Sequence, residues 1–296
     1  MKTTIAVHWQ YGAATHSGWQ RTLNDDRSLL RMGLTKKGLP YAVAALADGM
    51  GGLADGGAAA DEALDRLRTW MERDLPGVLD SRDRWNALEK SALLQIQTIH
   101  DTISGRVRTL RQRQGTTLTL LLLCDSVYWI FHIGDCRVYR LNPGKLRISR
   151  LTRDHSWVAR QVRLGLMSAA TADRHPRRNV LLRYLGMAGQ ARVDVRCGLY
   201  DQHTLFMLSS DGLHGPLTAA RLSQELLEAN GRGNDVQTLC DALLSQTLEG
   251  PAPDNASIVA LRPMDRGRTG LNRLQVRISL IVHRVLHPRL AVPFRN

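Results

Sequence analysis

Four apolar segments of this chain end at an aspartate or begin just after one: LA-Asp48-Gly49, HIG-Asp135-Cys136, SS-Asp211-Gly212 and AP-Asp254-Asn255. Taken singly, such pairs are turns, because Asp bonds its own local backbone and Gly accepts a positive φ. Their repetition beside the runs YAVAALA, SVYWIFHIG, TLFMLSS and ASIVALR constrains the fold much more strongly. If these runs pair as strands, their ends bring several carboxylates together. Anions clustered against a core are unstable unless a cation neutralises them. Donors that are all oxygen suit Mg²⁺ or Mn²⁺ rather than zinc or copper.

Hydrophobic periodicity supplies the remaining elements. Residues 41–47 read as a buried strand closed by a turn. Ala63, Leu64, Leu67, Trp70, Met71 and Leu75 predict an amphipathic helix over 57–75. Trp85, Leu88, Ala92, Ile96, Ile99 and Ile103 predict a second over 83–104, with Gly105 as its stop. After a basic stretch at 106–114, TTLTLLLLC, SVYWIFHIG and CRVYRL read as neighbouring strands. Residues 156–182 read as an irregular surface insertion. Strands return with ARVDVRCGLY and TLFMLSS, then helices over 218–229 and 235–248, then the strand ASIVALR. This mixed order disfavours a doubly wound parallel sheet. Gly49-Met50-Gly51-Gly52-Leu53-Ala54 matches a dinucleotide fingerprint, but Asp48 would then face an anionic pyrophosphate and two consecutive helices follow.

The 296 residues are 43% hydrophobic and 23% charged, as in ordinary soluble domains. A formal charge of +13 favours anionic partners, yet no basic stripe interleaved with aromatics appears, so no specific nucleic acid is expected. Cys124, Cys136, Cys197 and Cys240 are widely spaced, which fits a reduced, intracellular setting. The N-terminal stretch lacks a signal-peptide pattern, and no apolar run approaches the roughly 20 residues of a membrane span. The expected location is cytoplasmic. From Arg262 to Asn296 stand eight arginines and one acid, Asp265. Within that tail, residues 271–287 put Leu271, Leu274, Ile278, Ile281, Val282, Val285 and Leu286 opposite Arg273, Arg277 and Arg284. This amphipathic helix would pack on the preceding domain, lie at the inner membrane surface as a peripheral anchor, or dock a partner.

Arg21, followed by Asp25 and Asp26 in SGWQRTLNDDR, offers a planar fork suited to gripping phosphate oxygens bidentately. Two hard cations roughly 3.5–4 Å apart would share a water, lower its pKa and orient it for in-line attack on phosphorus.

At this point the chain resembles the metal-dependent protein phosphatases of the 2C type (the PPM class), in their bacterial serine/threonine phosphatase branch. The resemblance spans about residues 10–262 and rests on SGWQRTLNDD, ADGMGG, GTT at Gly115–Thr117, IGDCR, LTRDHS, NVLLRYLG, SSDGL and DNASIV, in that order. It implies an α+β fold, a four-layer α/β/β/α sandwich of two packed antiparallel sheets flanked by helices, with a dinuclear Mn²⁺ or Mg²⁺ site at one end. By the same likeness, Asp48 bridges both metals, and the Gly49 carbonyl and Asp25 serve one. Asp211 and Asp254 hold the other, Asp26 accepts hydrogen bonds behind them, and Arg21 binds substrate phosphate. Asp135 would join Asp211 at a third, weaker metal position. Asp25 is a methylene shorter than the usual Glu, Cys136 replaces a usual Ser, and Leu53 and Met50 stand where relatives carry His.

The expected organisation is a catalytic domain over 1–262, with a flap at about 156–178, and a basic extension over 263–296. The arginines of the flap, Arg160, Arg163, Arg174, Arg177 and Arg178, either steer phosphorylated segments or serve solubility. The expected activity is hydrolysis of phosphoserine and phosphothreonine in proteins by direct attack of the metal-bridging water, opposing a bacterial serine/threonine kinase, by a monomer. The competing expectation is a catalytically weak or dead phosphoprotein-binding regulatory module of the same fold.

Overall fold

The strands β3 (Pro40–Gly51), β5 (Leu118–Cys124) and β6 (Val127–Ile133) are apolar at consecutive positions, and both of their faces are covered. A computed structural model describes residues 9–51, 56–110, 114–142, 147–217, 219–231 and 235–264. In one sheet β2 (Asp26–Leu34), β3, β5, β6 and β9 (Asp194–Leu199) follow one another, and β4 (Gln114–Thr116) pairs with the end of β3. The other sheet runs β1 (Trp9–His16), β11 (Ala256–Pro263), β10 (Leu205–Ser209), β7 (Arg137–Asn142) and β8 (Arg147–Arg150). All of these pairings are antiparallel.

Successive side chains of a strand point to opposite faces, so each central strand feeds two cores. Ala42, Ala44, Leu46, Leu121, Leu123 and Ile130 meet Val138, Phe206, Leu208, Val259 and Leu261 between the sheets. Their neighbours Val43, Ala45, Leu120, Leu122 and Trp129 face outward, against α1 (Gly56–Arg73), α2 (Leu75–Asp80) and α3 (Arg84–Leu110). The second sheet turns Met207, Ile258 and Ala260 towards α7 (Ala219–Gly231) and α8 (Val236–Leu248). The result is the expected four-layer sandwich.

Several elements differ from the sequence expectation. Helix α3 continues through Gly105 to Leu110, because Gly105 keeps a negative φ and an interior glycine costs only about 1 kcal/mol against alanine. The expected irregular insertion holds two short helices, α4 (Trp157–Arg163) and α5 (Ala169–Asp173). Their first turns are capped by Ser156 accepting from the Ala159 N–H and Ser168 accepting from the Thr171 N–H. Strands β1, β2 and β8 carry mixed polar faces that hid them from periodicity. The amphipathic segment 271–287 and most of the basic extension lie outside the described residues.

Strand β1 packs so closely under α8 that a Cβ at Gly12 would stand 2.5 Å from the Val236 carbonyl oxygen and 2.7 Å from the Gln237 backbone. Gly12→Ala is therefore expected to destabilise by about 1–3 kcal/mol. Gly105→Ala, which meets nothing within 4 Å inside α3, should instead stabilise by about 0.5–1 kcal/mol. Thermal denaturation of the two variants beside the parent checks both signs.

Candidate metal centre

Antiparallel pairing brings the aspartate-bearing strand ends to one end of the sandwich. In the β2–β3 register Asp26 lies directly opposite Asp48. The Asp48 backbone is held on both sides: its N–H donates to Thr117 Oγ1 at 2.9 Å, and its carbonyl accepts from the Thr117 N–H at 2.9 Å and from Thr116 Oγ1 at 3.0 Å. Asp135 follows β6, Asp211 opens the four-residue helix α6 (Asp211–His214) after β10, and Asp254 stands just before β11.

These carboxylates perturb one another as anions crowded in a poorly solvated place must. Burial, then the fields of Asp211 and Asp254, push the Asp26 carboxyl up to about 7, against the pull of nearby serine hydroxyls. Burial, then Asp254, pushes Asp211 up to about 6. Asp48 is driven well above the carboxylate range by burial and then by Asp26, Asp211, Asp135 and Asp254. Asp135 is driven up by burial and then by Asp211 and Asp154. Asp48 and Asp211 keep some solvent access, so they sit in the floor of an open pit, hemmed in by protein atoms without being sealed off. The Cys136 thiol, 3.2 Å from Thr117 Oγ1, is pushed far up by burial and then by Asp48 and Asp135, which removes it as a nucleophile.

Two features test whether the site fits hard cations. Asp26 is 5% exposed, yet neither carboxylate oxygen has a hydrogen-bond partner. The nearby hydroxyls that pull on this carboxyl also have other partners, Ser257 Oγ with Thr15 Oγ1 at 2.7 Å and Ser210 Oγ with the Asn255 carbonyl at 3.5 Å. A buried carboxylate left this way is costly without a further partner. The second feature is an oxygen cradle at the start of α1. A Cβ on Gly56 would lie 2.8 Å from Asp25 Oδ2 and 3.1 Å from the Gly49 carbonyl oxygen, so the absent side chain keeps a space flanked by both. Asp25 Oδ1 meanwhile accepts from the Gly57 N–H at 2.8 Å, at the positive end of the helix. With donors that are all oxygen, the set fits Mg²⁺ or Mn²⁺. As they stand, no three His, Cys, Asp or Glu side chains among the described residues close into a finished cage.

Arg21 reaches over the cluster. Its Nη2 donates to Asp254 Oδ2 at 2.9 Å, and its side chain remains 56% exposed. That hydrogen bond and the Asp254 charge raise its pKa, with Asp211 and Asp48 adding at longer range. A cavity of about 440 Å³ adjoins the site, between Asp135, Asp211 and Asp254 on one wall and Val158, Ala159 and Ala172 of the flap on the other.

Sequence reasoning missed Asn255. Its Oδ1 accepts from the Asp25 N–H at 2.8 Å, and its Nδ2 donates to the carbonyls of Ser17 and Leu23, both at 2.9 Å. One side chain thus ties the loop bearing Arg21 and Asp25 to the strand end bearing Asp254. The sequence showed it only within the Asp-Asn pair, which reads as a turn, and within the DNASIV segment, where no role was assigned to it.

The raised carboxyl pKa values fix the sign of the pH dependence. A carboxyl whose folded pKa lies above its unfolded value favours the fold at low pH, and that contribution disappears as pH rises through the folded value. Asp211→Asn removes one charge from the crowd, so in metal-free protein it is expected to raise the melting temperature near pH 8 and to lose that advantage near pH 4. Mn²⁺ should stabilise the parent near pH 8 more than this variant. Gly56→Ala should weaken the same Mn²⁺ response by filling the cradle, although alanine favours the helix.

No family model matches the chain. It is 30% identical over 200 residues, 67% of its own length and 76% of the relative's, to a putative protein phosphatase 2C-type of Streptococcus pyogenes. It is 28% identical over 231 residues, 75% of its length and 86% of the relative's, to the serine/threonine phosphatase Stp of Listeria innocua. Its fold superposes with a TM-score of 0.69 and 24% identity, over 87% of this chain and 99% of the other, on the catalytic domain of the serine/threonine protein phosphatase PstP in complex with two manganese ions. Sequence, fold and relatives agree, and the chain belongs to the 2C-type protein phosphatase family.

Proposed function

We propose that this chain hydrolyses phosphoserine and phosphothreonine in proteins, dependent on divalent metal, and that the clustered carboxylates are its metal ligands. The observation that carries this is the convergence of Asp26, Asp48, Asp135, Asp211 and Asp254 at one end of the sandwich, where burial and then the neighbouring charges raise the carboxyl pKa of Asp26, Asp48, Asp135 and Asp211. Asp48, Asp211 and Asp254 would hold the ions, two of them, with the Gly49 carbonyl and Asp25 at the Gly56 cradle and Asp135 at a third position. Oδ1 of Asp25 is turned onto the helix start, which leaves Oδ2 at the cradle for a contact made directly or through water. When bound, such ions supply Lewis acidity that lowers the pKa of water and neutralises charge on the phosphoryl oxygens.

The chain's own residues supply the rest. Arg21 would leave Asp254 for the incoming phosphate, trading one oxygen partner for two through its planar fork. Asp26 would act behind the ligands as an acceptor. Thr116 and Thr117 hold the Asp48 backbone, and Asn255 holds the loop of Arg21 and Asp25, so the groups are oriented before substrate arrives. The elevated Cys136 thiol supports hydrolysis without a phosphoenzyme. A dead phosphoprotein-binding module of this fold would have no use for a carboxylate at every expected position.

No described helix is long and apolar enough to cross a membrane. The finer proposals are an enzyme at work in the cytoplasm, as a monomer, against phosphates placed by a bacterial serine/threonine kinase. A catalytic domain over 1–262 would carry a separate basic extension over 263–296.

A phosphothreonine peptide assayed with and without Mn²⁺ tests this. Activity should require the ion, and Asp48→Asn should lower kcat by at least about 100-fold with the fold intact. Arg21→Ala should mainly raise KM, by about tenfold, consistent with the loss of a charge-assisted contact. Turnover that persists after chelation would contradict the proposal.

A further inference from the structure

A second cavity, of about 420 Å³, lies on the other side of the flap root. It is lined by Arg160, Arg163, Arg183 and Arg192, and it shares Asp154 and Ser156 with the cavity beside the carboxylate cluster. The side chains of Arg160, Arg163 and Arg192 are exposed and form no hydrogen bond or ion pair with another described residue. Arg183 is fixed by Asp194 at 2.9 Å. Asp154 does not cancel this charge, because its carboxylate is committed to Arg137 at 2.7 Å and Arg150 at 3.4 Å.

The floor is rigid. The His155 N–H donates to the Gly134 carbonyl at 2.8 Å, the Gly134 N–H donates to His155 Nδ1 at 3.1 Å, and the Leu182 N–H donates to the His155 carbonyl at 2.7 Å. Guanidinium groups around one concavity repel each other unless an anion lies between them, and their planar forks match the oxygens of a phosphate bidentately, while its double charge answers several cations at once. Scattered arginines are ordinary on a chain of +13, but arginines converging on a built concavity next to the reaction centre are not.

We propose that Arg160, Arg163, Arg183 and Arg192 form a second phosphate-dianion subsite, filled by a further phosphate of a multiply phosphorylated protein segment or by free phosphate. The substrate source rests on the phosphatase reading above, while binding of the dianion does not. A segment with one phosphate at the carboxylate cluster would present its neighbour across the wall made by Asp154 and Ser156. Two linked contacts then act as one bivalent ligand.

The test compares singly and doubly phosphorylated peptides of one sequence, with the separation of the two phosphates varied, on the full chain with Mn²⁺. Parent protein should show a KM for the best doubly phosphorylated peptide about tenfold below that of the single one. Arg163→Ala combined with Arg192→Ala should erase that difference and leave turnover of a small aryl phosphate unchanged. A parent that cleaves no aryl phosphate at all would instead reject the phosphatase reading. In a second arm, inorganic phosphate is titrated into Asp48→Asn protein and the melting temperature is read. A rise that the two arginine substitutions abolish, without any preference for the doubly phosphorylated peptide, identifies free phosphate as the occupant. Equal KM values for both peptides together with no arginine-dependent phosphate response overturn the subsite, as does an equal loss on both peptides.

Discussion

Burial of aspartates beside one another at one end of the sandwich, and the repulsion it creates among them, is the constraint on which this structure depends. Protein folds rarely gather anions next to an apolar core, and here the cost is visible in carboxyl groups driven towards neutrality and in Asp26, whose oxygens have no hydrogen-bond partner. Without a cation, protons perform the neutralisation. With one, the same crowding becomes affinity. The surrounding architecture holds each acid by something other than its neighbours: Asp48 by the Thr116–Thr117 backbone lock, Asp25 by Gly57 and Asn255, and Asp254 by Arg21. A site held in this way needs little reorganisation when it acts.

The two-sheet fold follows from the double burial of the central strands. A strand with one face in water alternates polar and apolar residues, whereas β3, β5 and β6 feed a core on each side and so read as continuous apolar runs. Those runs, and helices α1 and α3, were legible in the sequence for this reason. Strands β1 and β2 were not, because much of their length faces solvent or the polar site. The aspartates at strand ends were legible as a repeated device, and the likeness to a known family assigned them roles. The oxygen cradle at Gly56, the threonine lock on Asp48 and the stitching by Asn255 were not, since each acts through contacts between segments far apart in the chain. Asn255 meets Asp25 across 230 positions, and no local pattern announces such a partner.

A strongly basic chain thus encloses a strongly acidic centre. Arg21 stands at its rim, its guanidinium held in the charged form by Asp254 and, at longer range, by Asp211 and Asp48. The flap is joined to the strand ends at its root, where His155 is hydrogen-bonded to Gly134, the residue before Asp135.

The most direct measurement is anomalous X-ray diffraction from crystals grown with Mn²⁺. The account predicts two adjacent peaks between Asp48, Asp211 and Asp254, each about 2 Å from a carboxylate oxygen. Peaks confined to other surfaces, or carboxylates that stay metal-free at saturating Mn²⁺, would contradict it.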